Sequence, residues 1–204
     1  MEQEILTVKG FAQREIVIKK SRFIGLVWPV ATEAEAMGYI DQSRLDYPGA
    51  THYVFAYVLG KGGEIVRASD DGEPGGTAGK PVLSTIRLQE LTNTLVVVIR
   101  YFGGILLGAP GLVRSYSQAA REALTAAGIK RLEPTIRGSL TLPYNLLDPV
   151  RYQLEQLGAE IENIEYTDQV ELVFLLPQSQ LIQARGMLLE LNLHLCVVED
   201  LLYL

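Results

Sequence analysis

The spacing of apolar and polar residues divides the chain into two stretches with different rhythms. Early on, Glu15-Ile16-Val17-Ile18 and Arg22-Phe23-Ile24-Gly25-Leu26-Val27 flank a polar Lys19-Lys20-Ser21 interruption. Such β-branched and aromatic runs around a short polar break predict a hairpin. Thr32 with Glu35 three residues on is a capping box, which predicts a helix to about Leu45, ended by Tyr47-Pro48-Gly49. His52 to Leu59 predicts a strand, and Gly60-Lys61-Gly62-Gly63 turns it into an antiparallel partner from Glu64 to Ala68. Thr94 to Arg100 is almost continuously apolar, which places it at the centre of a sheet covered on both faces. Pro81 is expected to start a helix to about Leu91, and Pro110 another to about Ala127 with Gly128 as its stop. On the second helix Leu112, Val113, Tyr116, Ala120 and Leu124 form the apolar side. Arg114, Gln118 and Arg121 share a polar face.

The pattern changes after Ile129-Lys130-Arg131-Leu132-Glu133-Pro134. Thr135 to Leu142 predicts a strand, Asp148-Pro149 opens a helix ended by Gly158, and strands follow at Glu160 to Glu165 and Gln169 to Leu176. A helix from about Ser179 to Glu190 and a strand from Leu193 to Val198 complete a β-α-β-β-α-β order, the ferredoxin-like split βαβ arrangement. The expected fold class is α+β in two units, 1–131 and 132–204, with no internal repeat.

Charge sharpens that division. Residues 1–131 carry 15 Lys+Arg against 13 Asp+Glu, a balance of +2, whereas 132–204 carry 3 against 11, a balance of −8. Only the first unit suits a nucleic-acid partner by charge. The single cysteine, Cys196, excludes an intramolecular disulfide and fits a reducing compartment, so a cytoplasmic location is expected. The N-terminal Met1-Glu2-Gln3-Glu4 is acidic where a secretory leader is basic, and the apolar runs fall short of a membrane span.

Two glycine-rich stretches hold the candidate chemistry. The first is Ser69-Asp70-Asp71-Gly72-Glu73-Pro74-Gly75-Gly76-Thr77-Ala78-Gly79-Lys80-Pro81. It fails the P-loop pattern, with Pro74 where a glycine is needed and Pro81 where Ser or Thr is needed. Its backbone N–H groups before a helix could still hold an anion, with glycine-driven turn geometry as the plainer account. Asp70, Asp71 and Glu73 could meet a hard cation, but capping of turn amides suits the aspartates better, and no metal or cofactor is assigned. A hydrolytic set of His52 with Ser69 and Asp70 has no local signature. His194 and Cys196 alternate onto one face of the last strand, where a structural role fits better than ligation or catalysis.

The second stretch is Arg100-Tyr101-Phe102-Gly103-Gly104-Ile105-Leu106-Leu107-Gly108. Together with Arg114 and Arg121 it interleaves cations, aromatics and bare backbone, which suits phosphate contact with base stacking. The bland account ends the core strand at Tyr101 and Phe102 and leaves the arginines as a solvated helix face.

These two clusters, with Lys20-Ser21-Arg22-Phe23-Ile24 and Ala50-Thr51-His52, resemble the signatures of the IMPACT (YigZ-like) family over residues 20 to 116. The tail is similar to the small C-terminal domain of its bacterial members. The resemblance implies an N-terminal α+β domain like domain IV of elongation factor G and a ferredoxin-like C-terminal domain like its domain V. Eukaryotic relatives regulate translation through a partner of an initiation-factor kinase, using an extra domain that this chain lacks. One departure is Pro110-Gly111 where the family commonly has Gly-Gly, which removes a backbone donor at a helix start. The function expected is non-enzymatic RNA or ribosome binding linked to regulation of translation. The alternative is an enzyme or sensor for a small anionic, phosphorylated ligand at the paired loops. The candidate binding residues are His52, Asp70, Asp71, Glu73, Thr77, Lys80, Arg100, Tyr101, Gly103, Gly104, Arg114 and Arg121. A protein partner of the acidic C-terminal unit is a further option, and no membrane association is expected.

Overall fold

A computed structural model describes residues 5–203, with side chains through Val198. The chain divides into two compact units, 1–131 and 132–204.

The first unit is built on a five-stranded antiparallel sheet in the order β2-β3-β6-β4-β5. Its strands are β2 (Ala12–Ile18), β3 (Ser21–Pro29), β4 (His52–Leu59), β5 (Ile65–Ser69) and β6 (Thr94–Tyr101). The near-continuous apolar run of β6 is central as expected, with β3 on one side and β4 on the other. Because side chains alternate across a strand, its two faces feed two cores. Val96 and Val98 pack with Phe23, Val27, Val54 and Ala56 under helices α2 (Gly79–Leu88) and α3 (Gly108–Ala127). Leu95, Val97 and Ile99 face the other way, with Ile24, Leu26, Phe55 and Tyr57 against α1 (Glu33–Asp46).

The capping box at α1 forms with a shifted return bond. Thr32 Oγ1 accepts from the Glu35 N–H, while Glu35 reaches back to the N–H of Ala31. Both proline-led helices begin two residues earlier than the sequence predicts. Pro81 and Pro110 stand third in α2 and α3, still inside the first turn where a missing N–H leaves no intrahelical bond unmade. α2 also stops short of Leu91, since Glu90 takes φ 55° and Leu91 bridges to Leu6 of β1 (Ile5–Val8). Val113 has an apolar angular position on α3 but is 38% exposed, at the solvent-open N-terminal end of the helix. The segment where the pattern changes contains a strand that periodicity does not show, β7 (Ile129–Leu132), which pairs with β1.

In the second unit β8 (Pro134–Leu142), α4 (Leu147–Gln156), β9 (Glu160–Tyr166), β10 (Val170–Pro177), α5 (Leu181–Glu190) and β11 (Cys196–Tyr203) follow in that order. The sheet order β11-β8-β10-β9 is that of a ferredoxin-like split βαβ unit. Its core joins Ile136, Leu140, Leu172 and Phe174 to Val150 and Leu154 of α4 and Ala184 and Leu188 of α5. The last strand starts at Cys196 rather than Leu193, so His194 lies ahead of it and the two do not alternate along one strand. His194 and Cys196 are both exposed, which removes them from the core. No helix among the described residues is long and apolar enough to cross a membrane.

Candidate functional site

The loop from Ser69 to Pro81 does hold an anion, and the anion is its own. One oxygen of Asp70 accepts from the N–H groups of Ala78 (3.0 Å) and Gly79 (2.8 Å), and the other from Gly76 (2.7 Å). The carboxylate therefore occupies the position at the α2 N-terminus where an external phosphate would sit. Burial alone would push the Asp70 carboxyl up, but the amides of Gly76, Gly79 and Ala78, with Lys80, outweigh it and hold it below its ordinary value of 3.8. A side chain at Gly79 would press on the Ser69 backbone at 2.8 Å, so only glycine lets the loop close here. Thr77 is spent internally, its hydroxyl donating to the Pro74 carbonyl, and Lys80 is exposed.

The other two acids of the loop point elsewhere. Asp71 accepts from the Tyr53 N–H (2.7 Å) and from Arg44 (2.9 Å), tying the loop to β4 and α1. Glu73 turns inward, and its Oε1 accepts from Arg100 Nη1 (2.6 Å) and from the Tyr116 hydroxyl (2.6 Å). Burial, and then the Glu73 carboxylate it donates to, push the Tyr116 phenol far up, so it stays a donor. Among the described residues no group of three His, Cys, Asp or Glu side chains is placed to hold a metal ion.

His52 joins this hub. Its Nδ1 lies 2.8 Å from the Asp71 carbonyl, which can only accept, so Nδ1 carries a proton. Nε2 is then 3.8 Å from Glu73 Oε1. Ser69 meanwhile accepts from the Asp71 N–H, and Asp70 is engaged with the loop amides, so His52, Ser69 and Asp70 form no hydrolytic triad.

Arg100 is 5% exposed, inside the fold rather than on a polymer-binding surface. Its guanidinium carbon lies 5.4 Å from the ring centre of Phe23 and 5.4 Å from that of Phe102. Only Nη1 is well used; Nη2 has Ser21 Oγ at 3.5 Å, and the buried Nε has no acceptor. Tyr101 is half-buried beneath the Arg22 guanidinium.

Around this hub a cleft of about 420 Å³ opens, lined by Thr51, His52, Glu73, Pro74 and Arg100 on one side. Phe102, Leu106, Leu107, Gly108, Ala109 and Leu112 form the rest of its wall. The first glycine loop, the second glycine loop and the start of α3 thus meet at one place. That volume lies within the range of about 300–1,000 Å³ usual for small-ligand sites. Arg114 and Arg121 stand on the exposed side of α3 and do not line it.

The turn that packs on Gly103, next in sequence to Phe102 of the cleft, is a feature that the residue pattern does not reveal. Lys19 and Lys20 form the two-residue β2–β3 turn with φ 46° and 65°, a left-handed pair normally given to Asn-Gly. Their turn rests on Gly103, where any side chain would collide with the Lys20 backbone. Next in sequence to Gly103, Phe102 is 46% exposed. Gly104, at φ 80°, is exposed and completes the bend. The positive φ values of the lysines were the missing signal; nothing in Lys-Lys predicts them.

Comparison with known proteins agrees with the architecture. Residues 19–124 match the Impact N-terminal domain, and residues 140–191 match a domain of unknown function, DUF1949. The chain is 39% identical over 171 residues to the IMPACT family member YvyE of Bacillus subtilis, covering 84% of this chain and 79% of the relative. It is 33% identical over 188 residues to the IMPACT family member YigZ of Escherichia coli, covering 90% of this chain and 92% of the relative. A solved crystal structure described as that of a hypothetical protein superposes with a TM-score of 0.67 at 30% identity, spanning 98% of this chain and 99% of the other. Two family models in the expected order, relatives aligned over most of their length and a shared fold place this chain in the IMPACT family.

Proposed function

We propose that this protein is a non-enzymatic binder of single-stranded RNA that acts in the regulation of translation, with the N-terminal unit as its contact surface. The observation that carries this reading is the Lys19-Lys20 turn. Left-handed backbone costs an ordinary residue about 1–2 kcal/mol, so holding two lysines there needs a compensating use. The turn packs its backbone on Gly103, next in sequence to the half-exposed Phe102, and carries two exposed cations, a combination suited to phosphate and a stacked base. The small positive balance of this unit, +2 against −8 for residues 132–204, favours it over the other unit as the side that meets a polyanion.

Filter binding to short single-stranded RNA tests it. Affinity falls with salt, and Lys19→Glu with Lys20→Glu lowers the logarithmic slope by about 1.4, at about 0.7 per phosphate contact. Affinity and slope unchanged by that double variant would refute the reading. The meeting of His52, Glu73 and Arg100 on one cleft favours a second reading, an enzyme or sensor for a small phosphorylated ligand. Mononucleotide binding without RNA binding would single it out.

A further inference from the structure

We infer that the cleft beside Arg100 is a subsite for a terminal phosphate monoester, the end of an RNA strand or a free mononucleotide, held between the N-terminus of α3 and the side-on edge of the Arg100 guanidinium. The inference rests on the reading of this unit as a binder of phosphorylated ligands and names the group that enters.

Two independent observations point to the same place. The first is the helix end. Thr32 caps α1 and Asp70 fills the end of α2, but α3 has no side-chain cap hydrogen bond, and its residues Gly108 and Ala109 line the cleft. A helix of 20 residues leaves its first N–H groups without intrahelical acceptors and a partial positive charge beside them. Pro110 removes one donor, leaving the N–H groups of Leu107, Gly108 and Ala109 to supply the rest.

The second observation is Arg100, whose side chain is 6% exposed and lines the same cleft. Its end-on nitrogen Nη1 serves Glu73, while the side-on pair is under-used: Nε lacks any acceptor and Nη2 has only Ser21 Oγ at 3.5 Å. Elsewhere in this protein the side-on pair does bind a carboxylate. Arg22 grips Glu15 through Nε at 2.9 Å and Nη2 at 3.0 Å. A buried guanidinium edge without a full set of acceptors is matched by an oxyanion with two oxygens to offer.

Chemistry and access select the ligand. Glu73 opposes any anion, but its charge is offset by Arg100 at 2.6 Å, leaving the helix end to favour one. Phe23, 5.4 Å from the guanidinium, is fully buried, whereas Phe102, at the same distance, is half-exposed and lines the cleft, so entry runs past Phe102. A phosphodiester inside a strand would have to lead chain away in two directions from a nearly closed floor. A terminal phosphate leaves by one direction only. The apolar wall of Leu106, Leu107 and Leu112 then faces the attached nucleoside.

The test compares one short RNA sequence ending in a phosphate or in a hydroxyl, with a free mononucleotide and inorganic phosphate as separate titrants. One bidentate guanidinium contact together with the helix-end amides predicts at least about tenfold tighter binding of the phosphorylated end. Arg100→Lys keeps a cation for Glu73 but loses the fork, and should remove most of that preference. Ala109→Asp puts a carboxylate at the exposed helix start. It should leave the melting temperature unchanged or raised while abolishing the preference, so a loss of binding there is not a loss of fold. RNA bound with equal affinity whichever end it carries would overturn the subsite and leave the RNA reading standing. Mononucleotide and phosphate binding that Ala109→Asp abolishes, with no RNA binding, would uphold the subsite and overturn the RNA reading. Binding of none of the four probes would overturn both.

Discussion

Replacing Asp70 measures how the first glycine loop is held. Its carboxylate accepts from three backbone N–H groups, and alanine would leave all three without a partner. A helix cap alone contributes about 0.5–2 kcal/mol. Each charge-assisted bond contributes about 1.5–3 kcal/mol, although amides near the surface recover part of this from water. Asp70→Ala should therefore cost about 2–4 kcal/mol, and Asp70→Asn about half, because the amide oxygen still accepts but carries no charge. In a unit of 131 residues each kcal/mol moves the midpoint by about 4 °C, which gives a fall of roughly 8–16 °C for alanine. Thermal and urea unfolding of the wild type and both variants, repeated across pH, provide the assay. The folded value of Asp70 lies below its ordinary 3.8, so its contribution is complete above that pH and fades as pH falls through the folded value. The gap between wild type and Asp70→Asn should narrow over that acid range and stay constant near neutrality. A cost under about 0.5 kcal/mol for alanine would refute the claim that Asp70 is the loop's anion.

Three further outcomes follow from the same geometry. Glu73→Gln leaves Arg100 buried with a neutral partner and should destabilise the unit by about 2–4 kcal/mol in urea unfolding, close to the cost of breaking a buried ion pair. Gly103→Ala forces the Lys20 backbone aside and should cost more than about 2 kcal/mol, with a matching loss of the hairpin's amide protection in hydrogen exchange. Lys19→Asn with Lys20→Gly gives the turn its preferred residues. It should raise stability by about 1–2 kcal/mol while weakening RNA binding, a trade that a purely structural turn would not show.

Much of the fold is legible in the residues because it rests on runs that permit one account. His52 to Leu59 and Thr94 to Tyr101 are too apolar for an edge, and both lie inside the sheet. The β-α-β-β-α-β order of the second unit is likewise written in its turn residues and periods. The site is less so. Glycine-rich backbone before a helix correctly implies an anion, but only the closed loop shows that Asp70 supplies it. Arg100 and Tyr116 stand 27 and 43 positions from Glu73, and no local pattern joins them. Arg100 looks like a surface cation beside two aromatics because composition does not reveal depth; its neighbours in β6 do, being fully buried on both faces. The strain at Lys19 and Lys20 depends on a two-residue turn and the close approach of Gly103, both tertiary facts.

The central claim, that RNA is bound on the Lys19–Phe102 rim of the first unit, is tested most directly by an amide chemical-shift titration of the isotopically labelled protein with short single-stranded RNA. The account predicts saturable shifts at Lys19, Lys20, Phe102, Gly103, Gly104 and Ala109, with residues 132–203 unmoved. Shifts confined to the second unit, or none at saturating RNA, would contradict it.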